Sequence, residues 1–326
     1  MRGAKIGKGV SLGLGSVLIG DKIEIGEYTE VGFLVIVRAR EIKLGRRVSI
    51  GATSVIDTEK IEIDDEAVVT EQVFIGGNPT PDSYFKLGKR SIVMYMSYLN
   101  PSKRLIIGDD TGIGGHCIIF THGSWQSELD GYPVKYEDII IGNNVWLPWR
   151  VFIMPGITIG DNTTIGANSL VTKDLPEGVL AAGNPAKILR TSEQYPPKMS
   201  KDDKIKVMDH VVNEYIRELE YHHLTVEVDK QTDYWLLTIQ SGREKHILIY
   251  CINDCDAINN FSFHPNVALM TLTPIKANLK AKISNAKAML LDLTTRERTG
   301  SSKAGEEIIN TLRKRGITLI RSEYEK

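Results

Sequence analysis

The sequence predicts a mainly β chain in which a parallel β-helix is followed by a small α/β domain. Three observations carry that prediction. Ile141, Leu147, Ile153, Ile159, Ile165 and Val171 recur every six residues. In the N-terminal part Ile6, Ile25, Leu44 and Ile63 recur every nineteen, as do Leu12, Val31, Ile50 and Val69, and a third column of Leu18, Val37, Ile56 and Ile75. The beat fades after Arg190, where TSEQYPPKMSKDDK brings two adjacent prolines and a shift to charged residues. A period of six is neither helical nor the alternation of a sandwich strand, and aligned hexapeptides mark a parallel β-helix.

Three hexapeptides plus one extra residue make one turn, so the three columns become the corners of a triangular prism. Each column side chain meets its equivalents in neighbouring coils, contributing about 1.5–3 kcal/mol per buried aliphatic group. Small residues four places later, such as Val10, Thr29, Val48, Ala67, Thr163 and Ser169, fit an inward position beside the corner. Cys117 falls on that position and reads as packing. Two stretches interrupt the beat, near 76–106 and 120–140, and are expected to be loop insertions on which binding groups are presented. The expected organisation is therefore a β-helix over 1–192, a linker over 193–202 and a small α/β domain over 203–326.

In the second domain, residues 203–222 suit an amphipathic helix, with Ile205, Met208, Val212, Tyr215 and Leu219 along one side. Strand-like runs follow at 234–239, 246–252, 267–272 and 288–293, then a helix at 303–315 and a last strand at ITLIR. Gly300, Ser301 and Ser302 read as the start and cap of that helix. No family is recognised for residues 200–326.

Over 326 residues the formal net charge is −1, which offers no general attraction to nucleic acid or anionic lipid. No apolar run approaches a membrane span, and MRGAKIGKGV enters the first repeat without an apolar signal region, so a cytoplasmic chain is expected. Cys117, Cys251 and Cys255 are too few for a disulfide framework, and Cys251 and Cys255 lack a second pair to complete a zinc site. His116 and His122 are six apart, and no histidine precedes them to complete the three-histidine zinc site of a γ-class carbonic anhydrase. No metal is expected.

His122, in Phe120-Thr121-His122-Gly123, stands at the root of the second interruption. Read alone, it is either a general base or a solvated loop histidine. No Cys or Ser appears with a nearby base in a nucleophile motif, so an acyl-enzyme is not required. Trp125 and Asp130 lie in the same loop, where an indole can serve as a platform for a sugar face; Asp130-Gly131 also suits a turn.

The stretch from THGSWQSELDGYPVKYEDIIIGNNVW through LPWRVFIMPGITIG to GNPAKILR resembles the galactoside, maltose and xenobiotic O-acetyltransferase group of the hexapeptide-repeat acyltransferase superfamily. That resemblance spans roughly residues 4–192 and implies a left-handed β-helix, acetyl-CoA as co-substrate and a homotrimer with sites shared between neighbouring chains. It implies that His122 deprotonates the acceptor hydroxyl for direct attack on the thioester. It places Ala167 against the pantetheine arm, Thr172 and Lys173 near the adenine end, and Lys187 and Arg190 near the phosphates. Trp146 matches an aromatic position near the active site of the group. The chain departs from the group at Leu147-Pro148-Trp149-Arg150, where Trp149 puts bulk along the expected cofactor groove and beside the pocket. The expected acceptor is a sugar or surface-glycan precursor acetylated on oxygen. The alternatives are N-acetylation of a nucleotide-linked amino sugar and a non-catalytic β-helix scaffold.

Overall fold

The computed structural model describes residues 3–78, 80–253 and 255–322. The chain divides into two compact units, Met1–Lys198 and Met199–Lys326. The first is a left-handed parallel β-helix whose faces are three sheets of eight, ten and eight short strands. The nineteen-residue spacing is the strand register itself: Ile6 pairs with Ile25, Leu12 with Val31 and Leu18 with Val37. The columns run inside the prism as one apolar core, with Ile56, Ile75, Ile113, Leu147 and Ile165 fully buried. Among the described residues no helix is long and apolar enough to cross a membrane.

The small inward position has a hydrogen-bonding reason as well as a steric one. Each coil must satisfy the backbone groups of its corners without water. Thr29 Oγ1 donates to the Gly45 carbonyl at 2.7 Å and accepts from Val48 N at 3.2 Å, so one hydroxyl ties a corner to the next coil. Ser54, Ser97 and Thr111 repeat the device at other corners. The turns also demand left-handed backbone, which glycine and asparagine adopt cheaply and bulky residues do not. Leu34, Met96, His116 and Arg150 nevertheless sit at φ of 53°, 55°, 56° and 60°. Inter-coil bonds hold them there, for instance Leu34 N to Leu14 O and Arg150 N to Gly115 O.

The expected insertion near 76–106 is corrected by the structure. Tyr84–Leu87, Ile92–Val93 and Tyr98–Asn100 form an ordinary coil, paired strand for strand with Lys60–Ile63, Val68–Val69 and Phe74–Gly76. Only the corner before Tyr84 is longer: Ile61 pairs with Phe85, a register of twenty-four where the preceding coils have nineteen and the next has twenty. Thr80 Oγ1 to Ser102 O and Ser83 Oγ to Pro101 O fasten the added residues. The second interruption is a true excursion. His122–Gly123 and Lys135–Tyr136 form an antiparallel pair, a single 3-10 turn spans Glu128–Asp130, and the coil resumes at Ile139–Ile141. A hairpin of Leu180–Gly183 and Ala186–Arg190 closes one face.

The second unit is a seven-stranded mixed sheet with helices on it. Helix α1, Lys201–Tyr221, starts two residues before the expected 203, because Ser200 and Asp203 form a reciprocal capping box. Met208, Val212, Tyr215 and Leu219 are its buried stripe. The strands Tyr234–Ser241, Glu244–Cys251, Val267–Thr271 and Met289–Asp292 lie where the runs predict them. The strands Thr225–Lys230 and Glu297–Thr299 and the helix α2, Ala277–Asn285, were not anticipated. Ser302 caps helix α3, Lys303–Lys314, by accepting from Gly305 N. Helices α1 and α3 cover one apolar core with Leu248, Tyr250 and Met270, and α2 covers a second with Ile249, Leu269 and Leu290.

Candidate active site

The three outer faces of the β-helix differ in chemistry. Along the face that starts at Lys5–Ile6, charges alternate from coil to coil, pairing Lys5 with Glu24 at 3.1 Å and Lys43 with Glu62 at 2.8 Å. The Lys43 hydrogen bond holds the Glu62 carboxyl below its ordinary range. Along the face that starts at Val17–Ile19, the outward row reads Val17, Ile36, Val55, Phe74, Tyr98, Ile118, Phe152 and Leu170. His122 emerges where the chain leaves the face that carries this apolar row.

His122 is half-buried between two aromatic rings. Phe120 stacks on it at 6.0 Å between centroids and 16° between planes, and Tyr136 covers the other side at 5.4 Å and 24°. The hairpin places Tyr136 there, since His122 and Tyr136 are direct cross-strand partners. The Nδ1 atom is buried and has no hydrogen-bond partner among the described residues. Glu137 N donates to Thr121 O, and Arg104 grips Asp138 through its backbone N–H and its guanidinium, fixing both ends of the excursion. The Arg104 contacts hold the Asp138 carboxyl below its usual range. Gly156, at φ 82°, leaves room for Glu137, whose Oε2 would lie 2.0 Å from any Cβ there. An imidazole sandwiched in this way has little rotational freedom and presents its edge in one direction, as proton transfer to a positioned group requires.

The other candidate residues divide between two edges of the prism. Thr172 and Lys173 are exposed on the same edge as His122, with the Met154–Gly156 corner in between. Ala167 is exposed on a different edge, directly above Trp149, whose carbonyl accepts from Asn168 N at 2.9 Å. Trp149 lies flat over Gly115, where an added Cβ would come within 2.6 Å of its ring, and contacts Tyr95 and His116. Trp146 lies over Gly112 in the same manner. Lys187 and Arg190 are exposed on the closing hairpin, without ion-pair partners among the described residues. The pocket expected from Trp125 and Asp130 is not formed within the first unit. Trp125 is 98% exposed and Asp130 ends a turn at Gly131, because the tip of the excursion projects from the coils of the first unit.

Phe120 and Tyr136 escaped the sequence reading, and the signal for Tyr136 lay in its place just before the beat resumes at Ile139. Cys117 is buried, donates to the Pro148 carbonyl at 3.1 Å and has its thiol pushed up to about 11 by burial, which suits packing and not nucleophilic attack.

Residues 138–173 match the bacterial transferase hexapeptide (six repeats) family. Among curated proteins, galactoside O-acetyltransferase of Escherichia coli K12 is 37% identical over 120 residues, covering 34% of this chain and 58% of that protein. The putative colanic acid biosynthesis acetyltransferase WcaF of the same organism is 37% identical over 97 residues, 26% of this chain and 53% of that one. A solved maltose O-acetyltransferase from Clostridium difficile 630 is 28% identical with a TM-score of 0.28, covering 46% of this chain and 68% of that one. The chain thus spans a little over half the length of the two curated relatives. Residues 138–173 thus match the repeats of the bacterial transferase hexapeptide family, and the coil register and buried columns carry the same pattern through the rest of the β-helix.

Proposed function

We propose that this protein is an acetyl-CoA-dependent O-acetyltransferase acting on a sugar or surface-glycan precursor in the cytoplasm. The observation that carries the reading is the His122 imidazole, clamped between Phe120 and Tyr136 at the root of the one true excursion of the β-helix among the described residues. His122 Nε2 takes the proton of the acceptor hydroxyl as that oxygen attacks the thioester carbonyl. The C–S bond then breaks, the acetyl group passes to the acceptor oxygen, and His122 returns the proton to the leaving thiolate. No covalent enzyme intermediate is involved.

Acetyl-CoA is held by a groove that two chains complete. Ala167 lies along the pantetheine arm, Thr172 and Lys173 near the adenine, and Lys187 and Arg190 at the phosphates, which suit unpaired, exposed cations. Two features support a shared groove in a homotrimer: Ala167 and His122 occupy different edges of one prism, and the outward row from Val17 to Leu170 is apolar. Trp125, Asp130, Trp146 and Trp149 line the acceptor side once a neighbouring chain closes it.

Thiol release from acetyl-CoA, screened over free sugars and nucleotide sugars, tests the activity, and light scattering tests the assembly. A stable monomer with full transferase activity contradicts the shared groove. Release with no acceptor in either class contradicts the acceptor assignment.

A further inference from the structure

The second unit carries a pocket that acetyl transfer does not use. Leu272 follows the strand Val267–Thr271, and Leu293 follows its parallel neighbour Met289–Asp292, so one wall stands at the carboxyl ends of two adjacent parallel strands. Met208 of α1 and Leu319 complete an apolar floor, both buried. The cavity measures about 590 Å³, within the span of about 300–1,000 Å³ usual for small-molecule sites. In open α/β sheets, ligands bind in the crevice at the carboxyl ends of the strands.

Among the described residues the charge at the mouth is of one sign: Lys204, Arg296 and Arg315 line it, and no Asp or Glu does. Lys204 and Arg296 have no ion-pair partner among the described residues. Arg315 gives its Nε and one terminal nitrogen to Glu214 at 3.1 and 2.7 Å, keeping its other terminal nitrogen for a ligand. A hydrocarbon alone would fill the floor but make no use of these cations. A small inorganic anion would meet the cations but leave the floor in contact with water.

We propose that this pocket binds an amphiphilic anion, an apolar chain or ring bearing a phosphate or carboxylate head group that docks at Lys204, Arg296 and Arg315. The ligand is a single dissolved molecule and not a membrane surface, since the floor residues Met208 and Leu319 are buried and out of reach of a flat surface.

The test uses the full chain with decyl phosphate, below its micelle concentration, displacing the fluorescent anion 1-anilinonaphthalene-8-sulfonate. Decanol, inorganic phosphate and phosphatidylglycerol vesicles run in parallel. Saturable displacement by decyl phosphate is expected, with decanol and phosphate at least about tenfold weaker, because each meets only half of the site. The double substitution Lys204→Gln with Arg296→Asn should weaken decyl phosphate by about tenfold or more, through the loss of two charge-assisted contacts. Both side chains are exposed, and asparagine tolerates the φ of 58° at position 296, so folding is retained and circular dichroism verifies it. Val207→Trp, which fills the mouth from α1, should abolish displacement independently. Equal affinity in the double variant, decanol matching decyl phosphate, or binding to vesicles alone would each overturn the proposal.

Discussion

Replacing Thr111 by valine tests how the β-helix satisfies its own backbone. The Thr111 side chain is buried; its Oγ1 donates to the Gly142 carbonyl at 2.8 Å and accepts from Val145 N at 3.1 Å. Valine has nearly the same shape, so no cavity opens, but one carbonyl and one N–H lose their partner inside the prism. Each orphaned buried group costs about 1–3 kcal/mol, which together makes about 2–6 kcal/mol. For a domain of this size 1 kcal/mol moves the melting point by about 2–4 °C, so the variant should melt roughly 4–24 °C lower. Thr111→Ser keeps the hydroxyl and loses one methyl, worth about 0.8 kcal/mol. Far-ultraviolet circular dichroism melts of the three proteins decide the matter. If Thr111→Val melts at the wild-type temperature while Thr111→Ser melts lower, packing and not hydrogen bonding governs this position and the reasoning fails.

Three further outcomes follow from the same geometry. Glu62, held low by Lys43 and by the Tyr84 hydroxyl, has a folded pKa below its unfolded value. Its contribution is therefore complete above the unfolded pKa of about 4.3 and is lost as pH falls through the folded value; melting points should be flat above about pH 5 and drop below about pH 4, less steeply in Glu62→Gln. Gly115→Ala should lift the Trp149 indole from the corner, seen as increased acrylamide quenching in a Trp125→Phe background; unchanged quenching would show that the indole does not lie on Gly115. Deleting residues 200–326 should leave a folded β-helix that still binds coenzyme A, because its core contains no residue of the second unit; loss of binding in a folded trimer would contradict this.

The β-helix was legible because each hexapeptide states its own register, so Ile141 through Val171 needed no long-range information. The coil over 84–100 was hidden although Leu87, Val93 and Leu99 keep the beat. The lengthened corner displaced them from the preceding column, and Met94, Tyr95, Met96 and Tyr98 put apolar residues on outward positions. Helix α2 is nine residues long with only Leu279 and Ile283 buried, too short a stripe to stand out. At the site, His122 could be singled out from its place at an interruption. Its clamp could not, because Tyr136 reaches it only through antiparallel pairing across a loop of no fixed period. The separation of Ala167 from His122 onto two edges likewise depends on the winding of the coils and not on their spacing.

The most direct test of the account is the turnover of His122→Ala with an acceptor found in the thiol-release screen. The substitution removes the imidazole but none of the groups assigned to coenzyme A, so acetyl-CoA affinity should be unchanged while the rate falls by about 10²–10⁴-fold. His116→Ala is the control, since His116 packs against Tyr95 and Trp149 on a different edge, and it should retain clearly more activity. A His122→Ala protein that folds, binds acetyl-CoA and turns over at the wild-type rate would show that both the base and the loop are wrongly assigned.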